Sequence, residues 1–263
     1  MGIIEFTKPE RERVTPVITT VDIETRPNEV YTWGLFDQNV GLNQIIRPGG
    51  VMMVAAQEVG RKKVDYRAEW DDYEDMVRWA WDVYDRSDYV VTYNGARFDN
   101  KHLRAAWAEL GLTPPAPWRD LDLLTTVRQF QWPSRKLEFV CKKLGVSHKT
   151  DPGGFKTWTD ILQGEGKAQA DARKRMVKYC VNDVKITTEL FHRLRPWISG
   201  LNIPLVSGAD EDVKLCTRCG SDNVQSRGWA YTTTTRYRRF HCQSCGGWMR
   251  ARKSDSLKTV LVS

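Results

Sequence analysis

The chain has 263 residues, 28% of them charged and 41% hydrophobic, with a formal net charge of +7 at pH 7. That size suits one large domain with a small appendage and is too short for a polymerase carrying its own editing domain. No apolar run approaches the ~18 residues of a membrane helix, and residues 1–16 lack the apolar stretch of a secretory signal, so a cytoplasmic protein with no membrane partner is expected.

Charge and cysteine divide the chain at one place. Residues 1–212 hold 30 Lys and Arg against 31 Asp and Glu, a net −1, whereas residues 213–263 hold 10 against 2, a net +8. Cys216, Cys219, Cys242 and Cys245 fall in the basic tail, while Cys141 and Cys180 stand alone earlier and read as reduced core residues. The expected organisation is a domain over 1–198, a linker over 199–212 rich in turn formers, and a small module over 213–263.

In chain order, Pro16–Glu24 has the β-branched content of a strand, a second strand is expected over Val30–Phe36, and a third over Val51–Ala56 after the turn at Pro48-Gly49-Gly50. The spacing of Tyr73, Met76, Val77, Ala80, Val83 and Tyr84 predicts a helix over Asp71–Arg86. Tyr89–Tyr93 is a short buried strand ended by Asn94-Gly95, and helices are predicted over about 99–110, 120–130, 135–144 and 170–195. Strands first, then strands alternating with helices, predicts an α/β protein with a mixed β-sheet flanked by helices.

Asp22 and Glu24 flank Ile23 in the first strand, so both side chains share one face about 6.6 Å apart along the backbone while Ile23 points to the opposite layer. Such a pair repels unless a proton or cation lies between the groups, and hard divalent cations prefer oxygen ligands. Alone, the pair reads equally as a strand end in water. Further along, Asn94-Gly-Ala-Arg-Phe-Asp99 delivers Asp99 to the start of a helix, where a bare N-cap is the alternative. Tyr179 and Asp183, four apart, lie one above the other on a helix face; Cys180 adjoins them but is expected to point elsewhere.

Taken in order, Val21-Asp-Ile-Glu-Thr25, Asn94-Gly-Ala-Arg-Phe-Asp99 and Tyr179-Cys-Val-Asn-Asp183 resemble the three motifs of the DEDD 3′→5′ exonucleases, the DnaQ-like branch of the ribonuclease H-like fold. Tyr four residues before the final Asp is the DEDDy pattern. Asp120-Leu-Asp-Leu-Leu124 and Ser134–Gly145 also look like the family, and the resemblance covers roughly residues 16–196. It implies a ribonuclease H-like sheet in which Asp22, Glu24, Asp99 and Asp183 hold two Mg²⁺ or Mn²⁺ ions and Tyr179 orients the attacking water. It further implies stepwise hydrolysis of nucleic acid, DNA favoured, from a free 3′ end with release of nucleoside 5′-monophosphates. Stand-alone relatives resemble bacterial and phage proteins, so replication or repair partners and, for a phage protein, the host cytoplasm are expected.

Asn94, Arg97 and Phe98 precede Asp99 and are candidates for the groove that receives the terminal nucleotide; Phe98 is expected to pack in the core, with stacking on the nucleotide its alternative, and solvation is the alternative for Arg97. Trp107, Trp118, Trp132 and Trp158 fall near segments that approach the site and are expected to be mostly core. His102 reads as a surface side chain, and His148 has no ligand spacing around it.

Cys216-Thr-Arg-Cys219 and Cys242-Gln-Ser-Cys245 form two C-x₂-C knuckles with 22 residues between them. Four thiolates so spaced suit one structural Zn²⁺, with disulfides the alternative disfavoured in a reducing compartment. The β-branched and aromatic run between them predicts a hairpin, and Gly220 and Gly246 fall where each knuckle turns. The module therefore resembles a zinc ribbon. Arg236, Arg238, Arg239, Arg250, Arg252 and Lys253 offer a phosphate-contacting surface, and Tyr231, Tyr237, Phe240 and Trp248 offer stacking; protein docking is the alternative. Two other functions compete with the exonuclease: a non-catalytic nucleic-acid-binding adaptor, and a structure-selective endonuclease using the same site.

Overall fold

A computed structural model of the chain describes residues 15–147, 150–209 and 213–255. Residues 1–14, His148 and the acidic end of the expected linker lie outside the described residues. The described residues form two compact units, one spanning Val17–Arg193 and the other taking the residues on either side of it.

The larger unit runs β1 (Ile18–Arg26), β2 (Glu29–Val30), β3 (Ile45–Arg47), β4 (Gly50–Glu58), β5 (Asp65–Ala68), α1 (Glu69–Asp85), β6 (Tyr89–Thr92), α2 (Asp99–Glu109), β7 (Arg119–Asp122), α3 (Leu123–Val127), α4 (Leu137–Leu144), α5 (Phe155–Gln163) and α6 (Gly166–Leu194). Five strands make one sheet in the order β5-β4-β1-β6-β7. β4 is antiparallel to β1 and β5, whereas β6 is parallel to β1 and β7, so the sheet is mixed.

Both faces of the sheet are covered, which explains why β4 reads as an almost continuous apolar run rather than an alternating one. Val21, Ile23, Val51 and Val54 pack with Met76, Val77, Ala80 and Tyr84 of α1 and with Leu103 and Trp107 of α2. On the other side Met52, Met53 and Ala55 pack with Ile161 of α5 and Ala172, Met176 and Val184 of α6.

Two predicted elements are corrected. Of Val30–Phe36 only Val30 is in a strand, and Tyr31, Trp33, Leu35 and Phe36 are exposed. Their aromatic content has strand propensity, but the short β2 pairs only with β3 and offers no covered face. The helix over 120–130 is in fact β7, in register with β6, followed by the short α3. Asp122 marks the change by accepting the Leu124 N–H at 2.9 Å. β5 and α5 were not predicted.

In the smaller unit, α7 (Ile203–Val206) lies inside the stretch expected to be linker, its end capped by Asn202 accepting from the Leu205 N–H at 3.3 Å. β8 (Val224–Tyr231), β9 (Arg236–Cys242) and β10 (Trp248–Arg250) form an antiparallel sheet in the order β10-β9-β8. Only Cys242 is buried in these three strands. A sheet with so little apolar burial needs a staple, which the cysteines are placed to supply.

Candidate active site and cysteine cluster

The parallel ladder between β1 and β6 covers only Ile18–Thr20 against Tyr89–Val91. Past that point β1 and β6 no longer pair, while Thr92 stays paired with Asp122 of β7. Asp22 and Glu24 lie on this free end of β1, at the carboxyl end of a parallel pair, where α/β sheets open a crevice. A bulge between Glu24 and Thr25 in the pairing with β4 re-aims the strand at this point. Trp158 of α5 donates its indole N–H to the Thr25 carbonyl at 2.9 Å and pins the same end.

The turn after β6 delivers the next carboxylate. Asn94 takes a left-handed conformation (φ 72°), and its N–H is held by Asp122 Oδ1 at 2.8 Å. A Cβ on Gly95 would fall 2.4 Å from Thr92 Cβ, so this close approach requires glycine. The Asn100 N–H reaches the Gly95 carbonyl at 2.9 Å and closes the turn into α2. Asp99, 5% exposed, then accepts the Ile23 N–H at 3.2 Å. Behind it, Tyr84 donates to Asn100, and Asn100 donates to Asp120, at 2.9 Å each.

α6 supplies the third segment. Asp183 is 3% exposed. Ligand atoms of Asp22, Glu24 and Cys180 lie within 4.8 Å of one another, and Cys180 Sγ is 3.8 Å from Asp22 Oδ2. Burial pushes the Cys180 thiol well above its ordinary pKa, and the charges of Asp22, Glu24, Asp183 and Asp99 push it the same way. Asp22 and Glu24 thus lie against one buried thiol, and Asp183 and Asp99 are near enough for their charges to act on it. The expectation that Cys180 points away from the site is overturned: three residues before Asp183, it shares that residue's helix face. Tyr179 is partly buried and packs on the α6 side of the sheet.

Burial pushes the Asp99 carboxyl up to about 7; the backbone N–H groups of Asp99 and Ile23 pull it down and the Asp122 charge pushes it up. Such a crowded oxygen set needs a proton or a cation, and its donor chemistry fits hard divalent ions.

Of the remaining candidates, Arg97 is exposed and Asn94 partly buried. Phe98 is 42% exposed and meets His102 edge-on at 4.6 Å, so its core-packing role is ruled out. Trp107 packs edge-on against Tyr84, and Trp132 stacks on Phe130. The sequence reading missed Asp122 and Trp158 as supports of the site. Asp122 carried a local signal, an N-cap two residues before Leu124; Trp158 carried none, its partner being 133 residues away.

In the smaller unit the sulfurs of Cys216, Cys219, Cys242 and Cys245 lie within 4.8 Å of one another and none is bonded. Cys216 to Cys245 is 3.6 Å and Cys219 to Cys242 is 3.7 Å, close to the ~3.8 Å edge of a tetrahedron with Zn–S bonds of about 2.3 Å. The two knuckles repeat one geometry: Gly220 and Gly246 both have φ 76°, and their N–H groups reach the Cys216 and Cys242 carbonyls at 2.9 and 3.0 Å. Burial raises the Cys242 thiol, but backbone N–H groups of Cys245 and Ser244 together with hydrogen bonds from the Cys216 and Cys219 thiols outweigh it and bring it down to about 7. The set fits one Zn²⁺. Arg236 and Arg238 lie over the Trp229 ring, and Arg239 over Trp248.

No described helix is long and apolar enough to cross a membrane. No curated protein matches the chain in sequence. Among solved structures, the family B DNA polymerase from the hyperthermophilic archaeon Pyrobaculum calidifontis is similar in fold, with a TM-score of 0.50 and 17% identity over 74% of this chain. The matched part is 27% of that polymerase's length. The RNase H superfamily model RNase_H_2 matches residues 20–195, about two-thirds of the chain. With that match and its mixed five-stranded sheet flanked by helices, the chain belongs to the RNase H superfamily and has the RNase H-like fold.

Proposed function

We propose that the chain is a metal-dependent 3′→5′ exonuclease of the DEDDy type acting on nucleic acid, DNA favoured. The observation that carries this reading is the pair Asp22 and Glu24 against buried Cys180, with Asp99 bonded to the Ile23 amide between them and Asp183 one helical turn beyond Cys180, where β1 and β6 part. Superfamily membership supports nuclease chemistry in general. Asp22, Glu24, Asp99 and Asp183 would hold two Mg²⁺ or Mn²⁺ ions, which would supply a water nucleophile at neutral pH and positive charge toward the leaving 3′-oxygen. Tyr179 orients the attacking water as a hydrogen-bonding phenol, since an ordinary phenol is a poor base at neutrality. Asn94, Arg97 and Phe98 receive the terminal nucleotide, and the products are 5′-monophosphates.

The four tail cysteines hold a structural Zn²⁺, and the ribbon's Arg236, Arg238 and Arg239 draw in the substrate. A free 3′ end as substrate suits replication, repair or nucleotide recycling, and the proposed setting, taken from the motif resemblance, is a bacterial cytoplasm or that of a phage host. The test is incubation with end-labelled single- and double-stranded DNA and RNA, with Mg²⁺, Mn²⁺ or chelator. A ladder shortening from the 3′ end that vanishes in Asp22→Ala supports the proposal. Internal cuts would reassign the site to an endonuclease, and cleavage surviving Asp22→Ala with Asp183→Ala would overturn it.

A further inference from the structure

β2 and β3 prolong the antiparallel ladder of β1 and β4 past the site's carboxylates. Arg26 faces Gly50 at the end of the main ladder, and Glu29 then faces Arg47 and Val30 faces Ile45 in the extension. Pro27 and Pro48, which lack an N–H, fall in the interruption between the two. The base of this arm is nonetheless fixed. Arg26 donates to the Pro48 and Val51 carbonyls at 3.2 Å each and pairs with Glu69 of α1, which also takes Arg47 at 3.2 Å. Further out, Gln44 closes the loop between the strands. Its carbonyl accepts the Tyr31 N–H at 3.0 Å, and its side chain donates to the Tyr31 carbonyl at 2.9 Å and accepts the Gly41 N–H at 2.8 Å.

Beyond that clamp the arm's tip covers nothing. Trp33 is 103% exposed, Leu35 92%, Phe36 83% and Tyr31 76%. Large apolar groups gathered so densely in one open loop mark a binding surface. Between Val30 and Ile46 the one charged residue is Asp37, so the loop has no cation to hold a phosphate. Among the described residues no ring or cation lies against Tyr31, Trp33 or Phe36, whereas Trp229, Tyr237 and Trp248 of the smaller unit each lie under an arginine. Open rings without local cations suit stacking on nucleobases, which tolerates any sequence because every base has a π-face. Continuity favours bases over a protein partner, since the arm extends the strand that carries Asp22 and Glu24. The ladder leads the chain away from Glu24, seven residues and up to about 23 Å by Tyr31, so the tip is set for nucleotides upstream of the terminal one.

We infer that the loop over residues 31–42 is a base-stacking platform, with Trp33 and Phe36 stacking on bases of an unpaired strand several nucleotides upstream of the scissile bond. The inference rests on the nuclease reading above and deepens it by naming a single strand as the substrate, because bases in a duplex keep their faces stacked on one another.

The test is fluorescence anisotropy of the full-length, zinc-loaded Asp22→Ala protein on a thymidine single strand of about 15 nucleotides and on a blunt duplex of equal length. Trp33→Ala with Phe36→Ala should weaken single-strand binding at least tenfold and leave the slope of log K against log salt unchanged, because no phosphate contact is lost. Trp33→Tyr with Phe36→Tyr keeps two rings and should retain the affinity. Duplex binding should not respond to the Ala pair, and Tm should hold in every variant because both side chains are exposed. With Asp22 intact, the Ala pair should raise KM for the long strand at least tenfold while kcat holds, and the preference for that strand over a trinucleotide should fall by the same factor. Single-strand affinity indifferent to the Ala pair, a salt slope that falls with it, or a duplex weakened as much as the single strand would overturn the inference. So would light scattering that shows a wild-type dimer and a monomeric Ala pair, since the tip would then join two copies. Cleavage by the chain with Asp22 intact separates the two proposals: retained cleavage with ring-independent binding sinks only the platform, and absent cleavage with ring-dependent binding sinks only the nuclease.

Discussion

Asp99 accepts the Ile23 amide at 3.2 Å, which ties the carboxylate of α2 to the one residue that separates Asp22 from Glu24. The bond forms because β6 leaves β1 after Thr20, freeing the strand's edge for a side chain instead of a neighbouring strand.

The raised Asp99 carboxyl makes metal-free stability depend on pH. Its pKa moves from 3.8 to about 7 on folding, so the unfolded chain releases this proton first. The associated stability is complete below pH 3.8 and is lost as pH rises to about 7. Compared with Asp99→Asn, the metal-free protein is expected to lose Tm across that window, and Mg²⁺ or Mn²⁺ should restore it above pH 7. Calorimetry with and without chelator checks both. A wild-type profile parallel to that of Asp99→Asn would refute the assignment.

Asp122 both holds the turn and perturbs Asp99. Asp122→Asn keeps an acceptor for the Asn94 and Leu124 amides but removes the charge, so metal binding should titrate at lower pH with little loss of stability. Asp122→Ala loses both bonds and is expected to cost about 1–2 kcal/mol along with most activity. Metal titrations against pH distinguish the two variants.

Gly95→Ala would place its Cβ against the buried Thr92. Overpacking of this kind costs about 1–3 kcal/mol, and relief requires moving the turn that carries Asp99. Denaturant melts should show that loss, with kcat down at least a hundredfold. A fully active variant would show that the turn does not set the position of Asp99.

Trp158→Phe keeps the ring's packing and removes the donor to the Thr25 carbonyl. A loss of about 1 kcal/mol is expected, with kcat falling several-fold while KM holds, since the bond supports β1 just past Glu24. Steady-state kinetics on a short oligonucleotide is the check.

Removing the proposed zinc, by a strong chelator or by Cys219→Ser, should unfold the three-stranded sheet of the smaller unit, whose strands bury only Cys242. The Val17–Arg193 unit should keep its own melting transition and, once resupplied with Mg²⁺, its chemistry on short substrates. A single merged transition lost on chelation would contradict this.

Much of the fold was legible because several elements carry their own period. The helix over Asp71–Arg86 follows from its spacing and the strand at Tyr89 from a short apolar run ended by Asn94-Gly95, and the structure has both. The misread segments are those with a weak or misleading local signal. Asp120-Leu-Asp-Leu alternates for only four residues, too few to distinguish a strand from a helix start, and pairing with β6 settles it. Tyr31–Phe36 has strand-forming residues with nothing to cover them.

The same division runs through the candidate site. Asp22 and Glu24 share a face by the two-residue period of a strand, Tyr179 and Asp183 share one by helix spacing, and each C-x₂-C pair is set by its knuckle; covalent geometry makes these relations visible in the sequence alone. The charge division at residue 212 is of the same kind. Only the tertiary structure decided that β1 and β6 part, that Asp99 meets Ile23 across 76 residues, that Cys180 faces Asp22 across 158, and that arginines on both sides of β9 lie on aromatic rings. Those relations depend on which strand pairs with which and which side chains share a face, and local spacing does not encode a partner so far along the chain.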